Sequence, residues 1–133
     1  MIKYVQYDDA YFDRTIDFLK REWKSINTDK WEKYFFWKYI NNPYIRFPNI
    51  FVAVDRRDII GFRAIFVQKF SYGNTVLLIG SGADARIAES YRGKGIYKAL
   101  VDFGNNYCNN NNINYLLNLT SNKNSTPILM KLG

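Results

Sequence analysis

The sequence predicts an α+β domain with a central mixed, mostly antiparallel β-sheet covered by helices. Three strand-like segments in the middle of the chain follow one another across short polar turns, which is typical of antiparallel hairpins. A helical pattern and another strand come next, and this order is typical of a parallel crossover connection. Two helical patterns also follow the first strand, and one ends the chain. The predicted order is therefore β-α-α-β-β-β-α-β-α.

The first two elements follow from the spacing of apolar residues. Residues 2–6 form a short predicted strand. Phe12, Ile16, Leu19 and Trp23 then recur at helical spacing, so they would line one face of a helix.

A second helix is predicted over residues 30–41. Residues 27–29 (Asn-Thr-Asp) supply N-cap side chains, and Glu32 stands three residues after the aspartate, as in a capping box. Pro43 ends the helix, because proline disfavours the helical conformation at the residue before it.

Four further strands complete the predicted sheet. They cover residues 50–54, 59–70, 75–87 and 113–119. Gly80 and Gly82 interrupt the third of these strands, which indicates a bulge or a close approach of another group to the backbone. The apolar composition of the fourth predicts a buried strand. Helical spacing begins again at Gly95, and Ser125 begins a final helix.

The composition describes one folded domain over residues 1–133 and excludes several kinds of site. Hydrophobic residues make up 47% of the chain and aromatic residues 18%, which is typical of a globular protein. The chain has no histidine, so Ser-His-Asp and Cys-His catalysis and histidine metal sites are excluded. The single cysteine, Cys108, cannot form an internal disulfide. Chemistry must therefore use carboxylates, Tyr, Lys, Arg, backbone groups or a bound cofactor.

The positive charge favours an anionic partner. The formal net charge is +7, and nucleic acid, an acidic membrane or a phosphorylated cofactor would each suit it. No segment resembles a signal peptide or a membrane span, so a cytoplasmic location without membrane contact is expected. The cations are scattered and the aromatic residues fall mostly on apolar faces, so no nucleic-acid partner is expected.

Residues 91–100 (Tyr-Arg-Gly-Lys-Gly-Ile-Tyr-Lys-Ala-Leu) combine glycines and cations in a turn that opens into a helix. Glycines let a ligand approach the backbone, and the first turn of a helix has N–H groups without acceptors. The helix dipole and the charges of Arg92 and Lys94 add to the attraction for an anion. The turn therefore predicts a ligand that carries phosphates.

Arg92-x-x-Gly95-x-Tyr97 resembles the Arg/Gln-x-x-Gly-x-Gly/Ala signature of the GNAT superfamily of acyl-CoA-dependent N-acetyltransferases. Tyr97 stands where the signature has Gly or Ala. The predicted element order also resembles the GNAT fold, which has helices on both faces of its sheet. The resemblance implies an acetyltransferase that uses acetyl-CoA as cosubstrate and needs no metal.

The resemblance further implies which residues hold coenzyme A. Backbone groups near the end of the strand at residues 75–87 would hold the acetyl carbonyl, and the N–H groups of the glycine turn would hold the pyrophosphate. The implied cofactor-binding residues are Ile87, Arg92, Gly93, Lys94, Gly95, Ile96, Tyr97 and Asn122.

Asp84 is the candidate general base, since several branches of the family carry an acidic residue three positions before the one that matches Ile87. The alternative interpretation of Asp84 is a carboxylate at a strand end, paired with Arg86 or Arg63.

The usual acid of the family is a tyrosine four residues before a closing glycine, and this position is Leu129 here. Tyr115 and Tyr97 are the candidate substitutes, and unassisted departure of the thiolate is the third possibility. The aromatic residues of the second helix are expected mainly in the core, with Trp37 and Tyr39 as the candidates to face the acceptor.

The resulting hypothesis is transfer of an acetyl group from acetyl-CoA to a primary amine on a small molecule or a protein. The main alternative is a GNAT-like sensor or accessory domain that binds acyl-CoA without turnover. Gly80-x-Gly82-x-x-Ala85 imitates a dinucleotide-binding fingerprint, but the Gly93 and Gly95 turn would break the helix that must follow it.

The C-terminal end carries one more expectation. GNAT domains usually continue past the last glycine with two strands beside the fifth. The chain is therefore expected to be C-terminally truncated, with the strand edge at residues 113–119 covered by a second copy or a partner chain.

Overall fold

The structure is a computed structural model that describes residues 1–23, 30–113, 115–119 and 121–131. Its strands and helices, in chain order, are β1 (Ile2–Gln6), α1 (Phe12–Glu22), α2 (Trp31–Phe35), β2 (Ile50–Asp55), β3 (Asp58–Tyr72), β4 (Thr75–Ile87), α3 (Ile96–Asn110), β5 (Tyr115–Leu117) and α4 (Thr126–Lys131). The predicted order of strands and helices is confirmed.

The five strands form one sheet in the order β1-β2-β3-β4-β5. The first three pairings are antiparallel hairpin-type pairings, and β5 runs parallel to β4 after the α3 crossover. The sheet is therefore mixed and mostly antiparallel, as predicted.

Helices cover both faces of the sheet. Phe51 of β2 packs edge-to-face on Tyr107 of α3, with ring centroids 5.4 Å apart. Phe62 of β3 lies opposite Val52, the next residue along β2, so it points to the other face. There its ring lies 6.3 Å from the ring of Tyr39, just beyond α2. One face is thus covered by α3 and the other by α1 and α2, and both contribute to one aromatic core.

The bulge in β4 lies later than the sequence predicted. Pairing with β3 stays regular at Gly80 and Gly82, and the register shifts opposite Arg63, where Asp84 and Ala85 both face one residue. Of the two alternatives given for these glycines, a bulge is wrong, and a close approach of another group is confirmed at Gly80. At Gly80 the reason for glycine is close packing, because an added Cβ would lie 2.7 Å from Cγ2 of Ile65.

The second helix is also less regular than predicted. It begins as α2, and Phe36–Ile40 continue as a π-helical turn. The turn widens the helix, and such π turns often lie at functional sites. The predicted capping residues 27–29 lie outside the described part of the chain.

The fifth strand is short and exposed rather than buried. Only Tyr115–Leu117 form β5, and their side chains are 56%, 39% and 39% exposed. Ile113, just before the strand, is buried in the core. What covers the other edge of β5 stays a prediction. Among the described residues, no helix is long and apolar enough to cross a lipid bilayer.

Candidate active site

A cavity with a volume of about 820 Å³ lies where β4, the start of α3 and the segment after β5 meet. Most of the residues predicted to bind cofactor or to catalyse line it. They are Asp84, Ile87, Arg92, Gly93, Gly95, Ile96, Tyr97 and Asn122. The fold thus brings the glycine turn and the candidate base into one space, although they lie on different elements.

The glycine turn has the geometry of an open anion cradle. Gly93 and Gly95 both have φ of 75°, a left-handed conformation that favours glycine, and an added Cβ on either would meet no atom within 4 Å. Gly95 caps α3 without any side-chain hydrogen bond to the first turn. The first N–H groups of α3 are therefore available to a ligand in the cavity.

The two cations of the turn have different positions. The Arg92 Nε donates a hydrogen bond of 3.3 Å to the backbone oxygen of Ile87, which ties the turn to the end of β4. The Lys94 ammonium lies 4.8 Å from the ring centre of Tyr91, and Lys94 does not line the cavity. Of these two cations, Arg92 is thus the one that lines the cavity.

Asp84 occupies the bulge with φ of 49°, which is rare for a residue other than glycine. Its Oδ2 accepts hydrogen bonds from the Tyr34 hydroxyl at 2.8 Å, from the Lys38 ammonium at 3.0 Å and from the Tyr39 hydroxyl. The predicted alternative partners, Arg86 and Arg63, are wrong, because the ion pair is made with Lys38. Among the described residues, these hydrogen bonds reach Oδ2 only, which leaves Oδ1 for another group.

Burial keeps the two tyrosines protonated. Burial raises the pKa of Tyr34 above its ordinary value, and the hydrogen bond to the Asp84 carboxylate raises it further. Burial and the charge of Asp84 likewise raise the pKa of Tyr39. Both phenols therefore stay protonated at neutral pH and donate hydrogen bonds to Asp84. Lys38 donates in turn to the Tyr34 hydroxyl at 2.5 Å, so the four side chains form one network.

The two residues predicted to face the acceptor lie outside the cavity lining. Trp37 is 67% exposed on the outer side of the π turn, with its ring centre 6.0 Å from that of Tyr34. Tyr39 is 2% exposed, and its ring belongs to the core while its hydroxyl contacts Asp84. Tyr39 is thus placed to support the candidate base, and its contact with an acceptor stays a prediction.

The segment after β5 closes the cavity on its other side. Asn122 lines the cavity, and its Oδ1 accepts hydrogen bonds from the backbone N–H groups of Asn124 and Ser125 at 2.9 and 3.1 Å. This side-chain turn leads into α4. Of the two candidate substitutes for the missing acid, Tyr97 lines the cavity and Tyr115 does not.

The functional roles of Tyr34, Lys38 and Arg63 are not evident from the sequence. Tyr34 and Lys38 are four residues apart on one helix, and this spacing places their side chains together. The spacing is what the sequence offers to indicate that the two side chains meet. Arg63 lies opposite the bulge, is 4% exposed and lines the cavity. The described residues contain no acidic or cysteine cluster placed to hold a metal ion.

Comparison with known proteins identifies a family that covers most of the chain. A family model described as the acetyltransferase (GNAT) family matches residues 12–133. No curated protein matches the sequence.

Solved structures share the fold at low sequence identity. A predicted acetyltransferase with acetyl-CoA from Clostridium acetobutylicum is 23% identical, with a TM-score of 0.75 over 100% of this chain and 89% of that chain. The aminoglycoside N-acetyltransferase AAC(6')-Iy in complex with CoA is 16% identical, with a TM-score of 0.74 over 100% of this chain and 87% of that one. A glucosamine-6-phosphate N-acetyltransferase from Arabidopsis thaliana is 14% identical, with a TM-score of 0.71 over 98% and 89% of the two chains.

Proposed function

Because the chain belongs to the GNAT family of acetyltransferases, we propose that it transfers an acetyl group from acetyl-CoA to a primary amine. The observation that carries the proposal is the single cavity that joins the glycine turn at the start of α3 to Asp84 in the bulge of β4. Structural neighbours with acetyl-CoA or CoA support the choice of cosubstrate.

Binding of the cosubstrate begins with its phosphates. The open N–H groups at Gly95 and the first turn of α3 would donate to the pyrophosphate, with Arg92 and the helix dipole adding positive potential. The acyl end would then extend along β4 towards the bulge. Lys94, predicted to bind the cofactor, would attract those phosphates of the cofactor that lie outside the cavity.

Asp84 is suited to take the proton that the acceptor must lose. The free Oδ1 would receive a proton from the acceptor ammonium, directly or through a water molecule. The neutral nitrogen then attacks the acetyl carbonyl carbon, and the electron pair of the C=O bond moves to oxygen. Backbone groups near Ile87 would stabilise that oxygen. Collapse of the intermediate re-forms the C=O bond and breaks the C–S bond, and the electron pair leaves with sulfur. The proton that the positively charged nitrogen must still lose passes to solvent.

The Lys38 ion pair and Leu129 favour the second candidate function, binding of acyl-CoA without turnover. Lys38 already neutralises Asp84, which weakens the case for Asp84 as a base. Leu129 stands where the family usually has a tyrosine that acts as general acid, and a leucine side chain has no proton to donate. A sensor or accessory domain would need the same cavity and glycine turn but no base.

Turnover distinguishes the two candidate functions. The purified chain is incubated with acetyl-CoA and panels of amino sugars, amino acids, polyamines and lysine peptides, and release of the free CoA thiol is measured. Acceptor-dependent thiol release supports transfer. Binding of acetyl-CoA without acceptor-dependent release from any panel supports the sensor function.

A further inference from the structure

We infer that Arg63 is a catalytic residue that stabilises the leaving thiolate of coenzyme A. This inference rests on the proposed function. Arg63 lines the cavity and is 4% exposed, and its Nη1 has no hydrogen-bond partner among the described residues. Burying a guanidinium without a counter-charge is costly, and the cost falls when a ligand supplies the negative charge.

Two glycines make room for the Arg63 side chain. An added Cβ on Gly104 of α3 would lie 2.8 Å from Nη1, and one on Gly82 of β4 would lie 3.4 Å from Nη2. The guanidinium is therefore seated between α3 and the β4 backbone. Glycine at these two positions is what allows a long cationic side chain to remain inside the domain.

In the part of the chain that the structure describes, the titratable groups beside Arg63 supply no free negative charge. Burial raises the pKa of the Cys108 thiol to about 11 and also raises the pKa of Tyr97, so both α3 side chains are neutral at pH 7. On β4, Asp84 is engaged by Lys38 on the opposite face, and Arg86 is itself a cation. Burial lowers the pKa of Arg63. The charge of Arg63 is thus left for a ligand.

The position of Arg63 relative to Asp84 suits the two parts of the reaction, attack by the amine and departure of the thiolate. The two residues lie opposite each other at the bulge. The Asp84 carboxylate points to the α2 side and contacts Tyr34, whereas Arg63 points to the α3 side, where the glycine turn would bind the phosphates. The amine would therefore attack from the α2 side, and the sulfur would depart towards Arg63.

The charge balance of this step is complete. As the C–S bond breaks, sulfur takes the electron pair, and the ion pair with the guanidinium stabilises it. The attacking nitrogen loses its remaining extra proton to solvent, and the thiolate is protonated by solvent after release. Arg63 thereby replaces the acid that is missing at Leu129 without itself losing a proton.

The test compares free CoA with acetyl-CoA, since free CoA alone can form the thiolate. Affinities of both are measured calorimetrically from pH 7 to pH 9 for the natural chain. If Arg63 stabilises the thiolate, the affinity for CoA rises with pH by about tenfold for each unit by which binding lowers the pKa of the thiol, and the affinity for acetyl-CoA stays flat. The same pH dependence for both ligands overturns the inference. Binding of neither ligand overturns the proposed function as well.

Variants assign the effect to one residue. Arg63→Met should abolish the rise in CoA affinity, while Arg86→Met, the same change on another cavity arginine, should retain it. Loss of the rise in Tyr97→Phe but not in Arg63→Met would assign it to Tyr97 and overturn the inference. Succinyl-CoA bound far more tightly than acetyl-CoA, with the preference lost in Arg63→Met, would assign Arg63 to an acyl carboxylate and would also overturn it. If Arg63→Met does not fold, Arg63→Gln is the second variant, and it should lose the rise in CoA affinity in the same way.

Discussion

The Lys38 ammonium lies 3.0 Å from Oδ2 of Asp84, so the π turn after α2 is tied directly to the bulge of β4. Both side chains are about four-fifths buried, at 18% and 19% exposure, so the pair is shielded from solvent. The Tyr34 and Tyr39 hydroxyls add two further hydrogen bonds to the same oxygen. This network holds Asp84 in its left-handed conformation at the wall of the cavity.

Asp84→Asn should lower turnover by about 10²- to 10⁴-fold, the usual contribution of a general base. Asparagine tolerates the left-handed conformation, so the bulge at φ of 49° should survive the change. Affinity for acetyl-CoA should therefore be unchanged in a calorimetric titration. Unchanged turnover would remove Asp84 from the mechanism.

Gly95→Trp should weaken acetyl-CoA binding by on the order of 100-fold, because an indole would fill the space proposed for the pyrophosphate. Gly73→Trp is the matched control. Gly73 also has a positive φ, 56°, and open space around its Cβ position, but it lies in the β3–β4 hairpin and does not line the cavity. Equal affinities for the two variants would place the ligand elsewhere.

Gly80→Ala should lower the free energy of unfolding by about 1–3 kcal/mol relative to Gly82→Ala. An added Cβ on Gly80 would lie 2.7 and 2.8 Å from side-chain atoms of Ile65 and Leu116, while one on Gly82 would lie 3.4 Å from its nearest neighbour. Because both positions are in β4, the strand preference of alanine cancels in the comparison. Urea denaturation of the two variants measures the difference, and equal midpoints with equal slopes would show that the strands adjust freely.

Cys108 should make the fold less stable as the pH rises above 9. Its pKa is raised to about 11, so between pH 9 and pH 11 the unfolded chain loses the thiol proton while the folded chain keeps it. Stability falls with pH in this range, by on the order of 2 kcal/mol for this group. The pH dependence of unfolding should be shallower in Cys108→Ala, since the buried tyrosines contribute equally to both proteins. Identical pH dependences would mean that the thiol does not titrate differently in the two states.

The predictions from sequence succeeded where the information is local. The spacing of Phe12, Ile16 and Leu19 predicted α1, and the polar turns predicted the hairpins of β2, β3 and β4. The glycine turn was assigned from residues 91–100 alone, because its conformation depends on its own glycines and on the helix that follows.

Contacts between distant residues could not be predicted. Lys38 and Asp84 are 46 positions apart, and nothing in either segment indicates that they meet. From the sequence, Arg63 was considered only as a possible partner of Asp84, and the glycines of β4 and α3 beside it show why it is buried. A bulge was one of two alternatives for Gly80 and Gly82, because glycine is common at bulges. The bulge lies at Asp84 instead, where the Lys38 network holds the aspartate.

The most direct test of the central claim is a calorimetric titration of the purified chain with acetyl-CoA, with NADH as a parallel ligand. The account predicts micromolar binding of acetyl-CoA and none of NADH. The cavity joins the anion cradle at the start of α3, which would bind the pyrophosphate, to the bulge of β4, where the acetyl end would lie. Absence of acetyl-CoA binding to a protein that unfolds cooperatively would contradict the account.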